Sequence, residues 1–214
     1  EKVNMENLPE IISAVKKEGK AIVAPKRMRV TYTLTVDTNA VPAGKIIRCW
    51  LPYPRQDQAR QQDVKFISAS EPQYTFSSPE CRHSTLYMEK RAVEGEPTVF
   101  SETFEFTANG EWHNLKPEDV QPYDTTTALY KEYTAEREKH IVFSPRLREL
   151  AAKLTAGETN PYLKAKRIFR WVNDNFPWAS AREYSTIENI PEYVLDNRHG
   201  DCGQVSLLFI TLCR

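Results

Sequence analysis

The sequence predicts an α+β protein: an N-terminal antiparallel β-sandwich followed by a helical part. Three observations carry that prediction. Between about residues 28 and 107, several runs alternate apolar and polar residues in the period of strands that bury one face. Nine of the 14 prolines lie between Pro25 and Pro122, and Gly44, Gly95 and Gly110 mark turns between the runs. From Asp124 onward the apolar spacing becomes helical, with Ser144-Pro145 and Asn160-Pro161 as start signals. The predicted boundaries are an N-terminal helix and linker at 1–24, a β-sandwich domain at 25–118 and a helical part at 119–214.

The elements follow in chain order. Leu8, Ile11, Ile12 and Val15 recur at helical spacing and Gly19 follows, which predicts a short accessory helix over 6–18. In "MRVTYTLTV" the residues Val30, Tyr32, Leu34 and Val36 alternate with Arg29, Thr31, Thr33 and Thr35, a half-buried strand. The runs "GKIIRCWLPY", "DVKFISAS", "HSTLYMEKRAV" and "PTVFSETFEFT" predict further strands; in the last, Phe104 and Phe106 alternate with polar neighbours. Asp124 is placed as the cap of a helix through about residue 138, with Leu129, Tyr130 and Tyr133 on one face. The helix after Ser144 carries Leu147, Leu150, Ala151 and Leu154 and ends at Gly157. The helix after Asn160 carries Ala165, Ile168, Phe169, Val172 and Phe176. A long connection from Trp178 then holds at most one short helix, around Pro191 to Leu195. In the last helix Val205, Leu208, Phe209 and Leu212 form a stripe while Leu207 and Ile210 make the other faces apolar, so it is predicted to be central and buried.

Composition excludes several classes of function. Hydrophobic residues at 40% and charged residues at 27% are those of a globular chain. Lysine plus arginine and aspartate plus glutamate balance at 29 each, so no net field draws the protein to nucleic acid or to an acidic membrane. No apolar run approaches the roughly 20 residues of a membrane span. No phosphate-binding glycine loop, metal cluster or basic aromatic patch is present, and no cofactor is expected. The first residue is Glu1, so a start, tag or signal peptide is expected to have been removed, and an extracytoplasmic location is favoured. Of the four cysteines, Cys49 and Cys81 fall in strand-like segments and are read as buried thiols rather than a disulfide; none has CxxC spacing for zinc.

The chemistry concentrates in "NRHGDCGQVSLLF", residues 197 to 209. Asp201 is suited to cap the last helix, which places Cys202 in its first turn. There the unpaired N–H groups and the helix dipole favour a thiolate. Gly200 and Gly203, two of only seven glycines, bracket this pair and permit a tight turn and close approach of a substrate. Cys213, late on the same helix among apolar residues, is read as core.

The segment "RHGDCGQVSLLFITLCR" resembles the nucleophile segment of the transglutaminase-like superfamily, through Arg198, Gly200, Asp201, Cys202, Gly203, Ser206, Leu207, Leu208, Phe209, Leu212 and Arg214. Upstream, "NPYLKAKRIFRWVNDNFPWAS" is similar to the helix that precedes that cysteine in bacterial members, and "VPAGKIIRCWLPYP" to a β-rich domain ahead of the core in some of them. The specific likeness spans about 160–214 and a weaker one about 28–110. The resemblance implies the helical first half of a papain-like core. It implies papain-like chemistry on amide or peptide bonds: Cys202 attacks a carbonyl, a histidine shuttles protons and an acidic residue orients that histidine. The acyl-thioester then passes to water or to an amine, with hydrolysis favoured. The backbone N–H of Cys202 is expected to form half of the oxyanion hole. Trp178 is the candidate for the other half, with a packing role as its alternative.

One part of the family pattern is missing. Its histidine and aspartate follow the cysteine, whereas His83, His113, His140 and His199 all precede Cys202 and no acidic residue follows it. The chain is therefore expected to be a fragment, inactive alone. Its triad is expected to be completed by a C-terminal part or a second chain, and its substrate to be a protein or peptide. A non-catalytic β-sandwich binding module on a degenerate scaffold is the alternative. An N-linked glycan hydrolase is a more distant one, since the zinc-binding cysteine pairs of that group are absent.

Overall fold

The computed structural model describes residues 7–214. The chain forms two units, the first ending at Asn114 and the second spanning Leu115–Arg214. Antiparallel sheets come first and helices follow, a mixed α+β order.

The first unit opens with α1 (Leu8–Glu18), closed by Gly19 in the left-handed conformation at φ 67°. Six strands follow: β1 (Ile22–Val36), β2 (Ile46–Pro52), β3 (Gln61–Ala69), β4 (Tyr74–Phe76), β5 (Thr85–Arg91) and β6 (Thr98–Glu111). They form two three-stranded antiparallel sheets, ordered β1-β6-β3 and β2-β5-β4. Cys49 and Leu51 of β2, Leu86 and Met88 of β5 and Phe100 of β6 make one buried cluster, so the core draws on both sheets.

Three details depart from the alternation. β1 begins earlier, at Ile22, because a bulge between Val23 and Lys26, with Ala24 at φ 53°, absorbs Pro25, which has no N–H for the ladder. Its apolar row is less covered than a half-buried strand requires: Tyr32 is 41% and Leu34 42% exposed. β1 stands at the edge of its sheet, and the buried cluster reaches β6 but not β1. Cys81 lies in the loop between β4 and β5 and is exposed, so the buried-thiol reading is corrected there and stands for Cys49; all four cysteines are free.

One inward residue of β6 is charged. Glu102 shares a face with Thr98, Phe100 and Phe104, is 1% exposed, and neither of its carboxylate oxygens has a hydrogen-bond partner. Burial pushes its carboxyl up to about 7. The Cys49 thiol and the Tyr53 phenol are both raised, first by burial and then by the Glu102 charge.

The second unit contains α2 (Ala128–Tyr133), α3 (Pro145–Leu154), α4 (Pro161–Asn175), α5 (Ile190–Asn197) and α6 (Cys202–Cys213). Ser144, Asn160 and Asn189 cap α3, α4 and α5, each accepting from a first-turn N–H. α2 is far shorter than the spacing predicts. Thr127, not Asp124, is its cap, because Asp124 is engaged by the hydroxyl and N–H of Thr126; at the far end the Thr134 hydroxyl takes the Tyr130 carbonyl. Leu147, Ile168, Val172, Phe176, Val194, Leu195, Leu208 and Leu212 form the core.

α6 touches α3, α4 and α5 and is central. It is buried on one face only, through Gln204, Leu208, Thr211 and Leu212, while Cys202, Ser206 and Cys213 are exposed. The three neighbouring helices cover one side, so burial all round is not found and Cys213 is corrected from core to exposed. Desolvation by the packed groups around its sulfur still pushes the Cys213 thiol up to about 11. No described helix is long and apolar enough to cross a membrane.

Candidate active site

The turn from α5 into α6 is built from the conformations of single residues. Arg198 closes α5 in the left-handed region at φ 61°, its N–H on the Val194 carbonyl. Its guanidinium lies 4.7 Å from the centre of the Phe176 ring and donates to Asn175 Oδ1 at 3.0 Å, tying the turn to the end of α4. Asp201 is then the N-cap of α6: Oδ1 accepts the Gln204 N–H at 2.7 Å, and Gln204 Oε1 accepts the Asp201 N–H at 3.3 Å. Cys202 is the first residue of the helix and is exposed. Its N–H belongs to the first-turn donors that no carbonyl of the helix can take.

Two residues that the sequence reading passed over complete this turn. Gln204 is fully buried and donates from Nε2 to the Arg182 carbonyl at 3.0 Å. Tyr184 donates its hydroxyl to Asp201 Oδ1 at 2.5 Å. Burial acts to raise the Asp201 carboxyl, yet the bonds from Tyr184 and from the Gln204 and Gly203 N–H groups prevail and hold it below the usual carboxylate range. Burial, then the bond to Asp201 and the charges of Asp201 and Cys202, pushes the Tyr184 phenol up to about 12. The only sequence signal for Gln204 was its place three residues after the cap; nothing marked Tyr184.

Both glycines of the turn are closely packed. Neither has a positive φ, and both lie against protein rather than open space. A Cβ on Gly203 would sit 2.3 Å from Tyr184 Oη, and one on Gly200 would sit 3.1 Å from Gln204 Cβ and Oε1. Gly203→Ala is therefore expected to displace the phenol, break its bond to Asp201 and destabilise the second unit by about 1–3 kcal/mol. Urea unfolding of the protein checks this; a variant as stable as the parent would show that the ring moves aside freely.

The remaining candidates are placed as follows. Trp178 pairs through its backbone with Gly200 in a parallel bridge, with the Ala179 N–H on the Gly200 carbonyl at 2.9 Å. Trp178 is 70% exposed. His199 is half-buried ahead of the cap, His140 is exposed, and His83 and His113 lie exposed in the first unit, His113 against Glu111 at 2.7 Å. Among the described residues no three His, Cys, Asp or Glu side chains are grouped to hold a metal.

Comparisons with known proteins bear on this turn. Residues 148–214, which contain the greater part of α3, all of α4 to α6 and the whole of the turn, match the model of the transglutaminase-like superfamily. The crystal structure of a candidate cysteine protease from Cytophaga hutchinsonii aligns with 89% of this chain at a TM-score of 0.60 and 16% identity, a likeness of fold. The chain spans 65% of the length of that structure's chain. Comparison with curated proteins gives no significant match. Over residues 148–214, the chain is similar to the transglutaminase-like superfamily.

Proposed function

We propose that Cys202 is the nucleophile of a transglutaminase-like cysteine enzyme that acts on amide or peptide bonds. The observation that supports this most directly is an exposed thiol at the first position of a capped, centrally packed helix, inside the segment that matches the superfamily. In this reading the thiolate adds to a substrate carbonyl, and the developing oxyanion is met by the Cys202 N–H at the positive end of the α6 dipole. Collapse of the intermediate breaks the C–N bond, the amine leaves with a proton from the general acid, and an acyl-thioester remains on Cys202. Water adds to the thioester, releases the carboxylate and restores the thiol; an amine in place of water gives transfer. Trp178, held beside Gly200, is the candidate for the second oxyanion donor. None of the four histidines is the base in this reading, and a C-terminal part or a second chain supplies the histidine and its orienting carboxylate.

Selective alkylation tests the nucleophile. Iodoacetamide at pH 8 is expected to label Cys202 far ahead of Cys213, whose thiol at about 11 holds about a hundredfold fewer thiolates than an ordinary cysteine near 9.0. Equal, slow labelling of the two would favour a non-catalytic binding module on the same scaffold.

A further inference from the structure

We propose that Tyr184 is a positioning residue for Cys202: its hydroxyl ties down the Asp201 carboxylate on the cap side of the turn, so that this negative charge opposes the adjacent thiolate less. The inference rests on the reading of Cys202 as the nucleophile and concerns what keeps that sulfur reactive.

Asp201 directly precedes Cys202, and a carboxylate beside a thiol works against ionisation of the thiol. As a cap, Asp201 is needed, because Gln204 N–H has no other acceptor in the first turn. The turn thus requires a charge that its own chemistry disfavours. Tyr184 meets that conflict: Oδ1 receives the phenol at 2.5 Å and the Gln204 N–H at 2.7 Å, two charge-assisted bonds on one oxygen.

The placement is held from several sides. The phenol oxygen occupies the space that a side chain on Gly203 would fill, at 2.3 Å from the ideal Cβ position. Gln204, fully buried, anchors the carbonyl of Arg182 just ahead of Tyr184. A tyrosine present only to pack would not need its hydroxyl in that gap. The ionisable groups at the turn are Arg198 and His199 ahead of the cap, Asp201 and Cys202 at the head of α6, and Tyr184 from the segment before α5; the phenol stays a donor up to about 12.

The test follows iodoacetamide labelling of Cys202 by peptide mass spectrometry from pH 5 to 10. It compares the intact protein with its Tyr184→Phe, Asp201→Asn and doubly substituted forms. Tyr184→Phe is expected to slow labelling at pH 7 about tenfold and to move the pH–rate curve about one unit upward, with Cys81 labelling unchanged as the exposed control. Asp201→Asn is expected to move the curve downward, and Tyr184→Phe is expected to add nothing in that background. A Tyr184→Phe curve that superimposes on the parent's, or the same displacement with and without the Asp201 carboxylate, overturns the proposal. If Tyr184→Phe fails to fold, Gly203→Ala, which displaces the same phenol, is expected to move the curve upward in its place, and no move overturns the proposal. Parent Cys202 labelling no faster than Cys213 removes the nucleophile reading separately, since the displacement of a slow curve is still measurable.

Discussion

Replacing Glu102 by glutamine is expected to stabilise the first unit by about 3 kcal/mol at pH 8 and to change it little at pH 4. Glu102 is 1% exposed on the inner face of β6, and both its oxygens lack partners. Burial therefore favours the neutral acid and moves the carboxyl from 4.5 to about 7. For a group raised in this way, the folded state binds more protons than the unfolded chain between those two values. Stability is complete below 4.5 and falls as the pH rises through about 7. That interval, at about 1.4 kcal/mol per pH unit, gives the expected loss of about 3 kcal/mol above pH 7. Glutamine keeps the shape without the charge, so the variant's unfolding temperature should be nearly level from pH 4 to 8 while the parent's declines. Equal pH dependence in the two proteins would mean that Glu102 gains a compensating partner when it ionises.

With Cys202 as the proposed nucleophile, Cys202→Ala is expected to lower turnover of an amide substrate by at least about ten-thousandfold, with little change in stability. Loss of the sulfur removes the covalent step altogether, whereas an exposed side chain outside the core contributes at most about 0.5 kcal/mol. Turnover and thermal unfolding of the same preparation separate the two effects. Residual activity within about tenfold of the parent would place the nucleophile elsewhere.

How far these features could be read in the sequence depends on the range of the interactions behind them. The caps at Ser144 and Asn160 are local: an oxygen meets an N–H two or three residues on, and proline follows, so four or five residues contain the whole cause. The cysteine turn is equally local in its Asp201–Gln204 box. Tyr184 is not, because its bond to Asp201 joins a loop to a helix across the whole of α5. Glu102 had a hint, since it shares the parity of Phe100 and Phe104, yet a charged residue in a strand reads as solvent-facing unless the neighbouring sheet is known. α6 is apolar all round, and which side is covered is decided by α3, α4 and α5 rather than by its own composition. At α2, Thr127 outcompetes Asp124 for the cap because Thr126 occupies the aspartate first, a choice among adjacent oxygens that spacing does not rank.

The contact between Tyr184 and Gly203 alters what the second glycine of "GDCG" records. The absent side chain there is the imprint of a hydroxyl supplied from outside the motif. Positions 184 and 203 therefore form one unit of substitution: a residue shorter than tyrosine at 184 frees 203 to carry a methyl group, and a side chain at 203 drives the tyrosine hydroxyl out of its place. In descendants of this chain the two are expected to change together, and the glycine alone does not say whether the cysteine beside it still reacts.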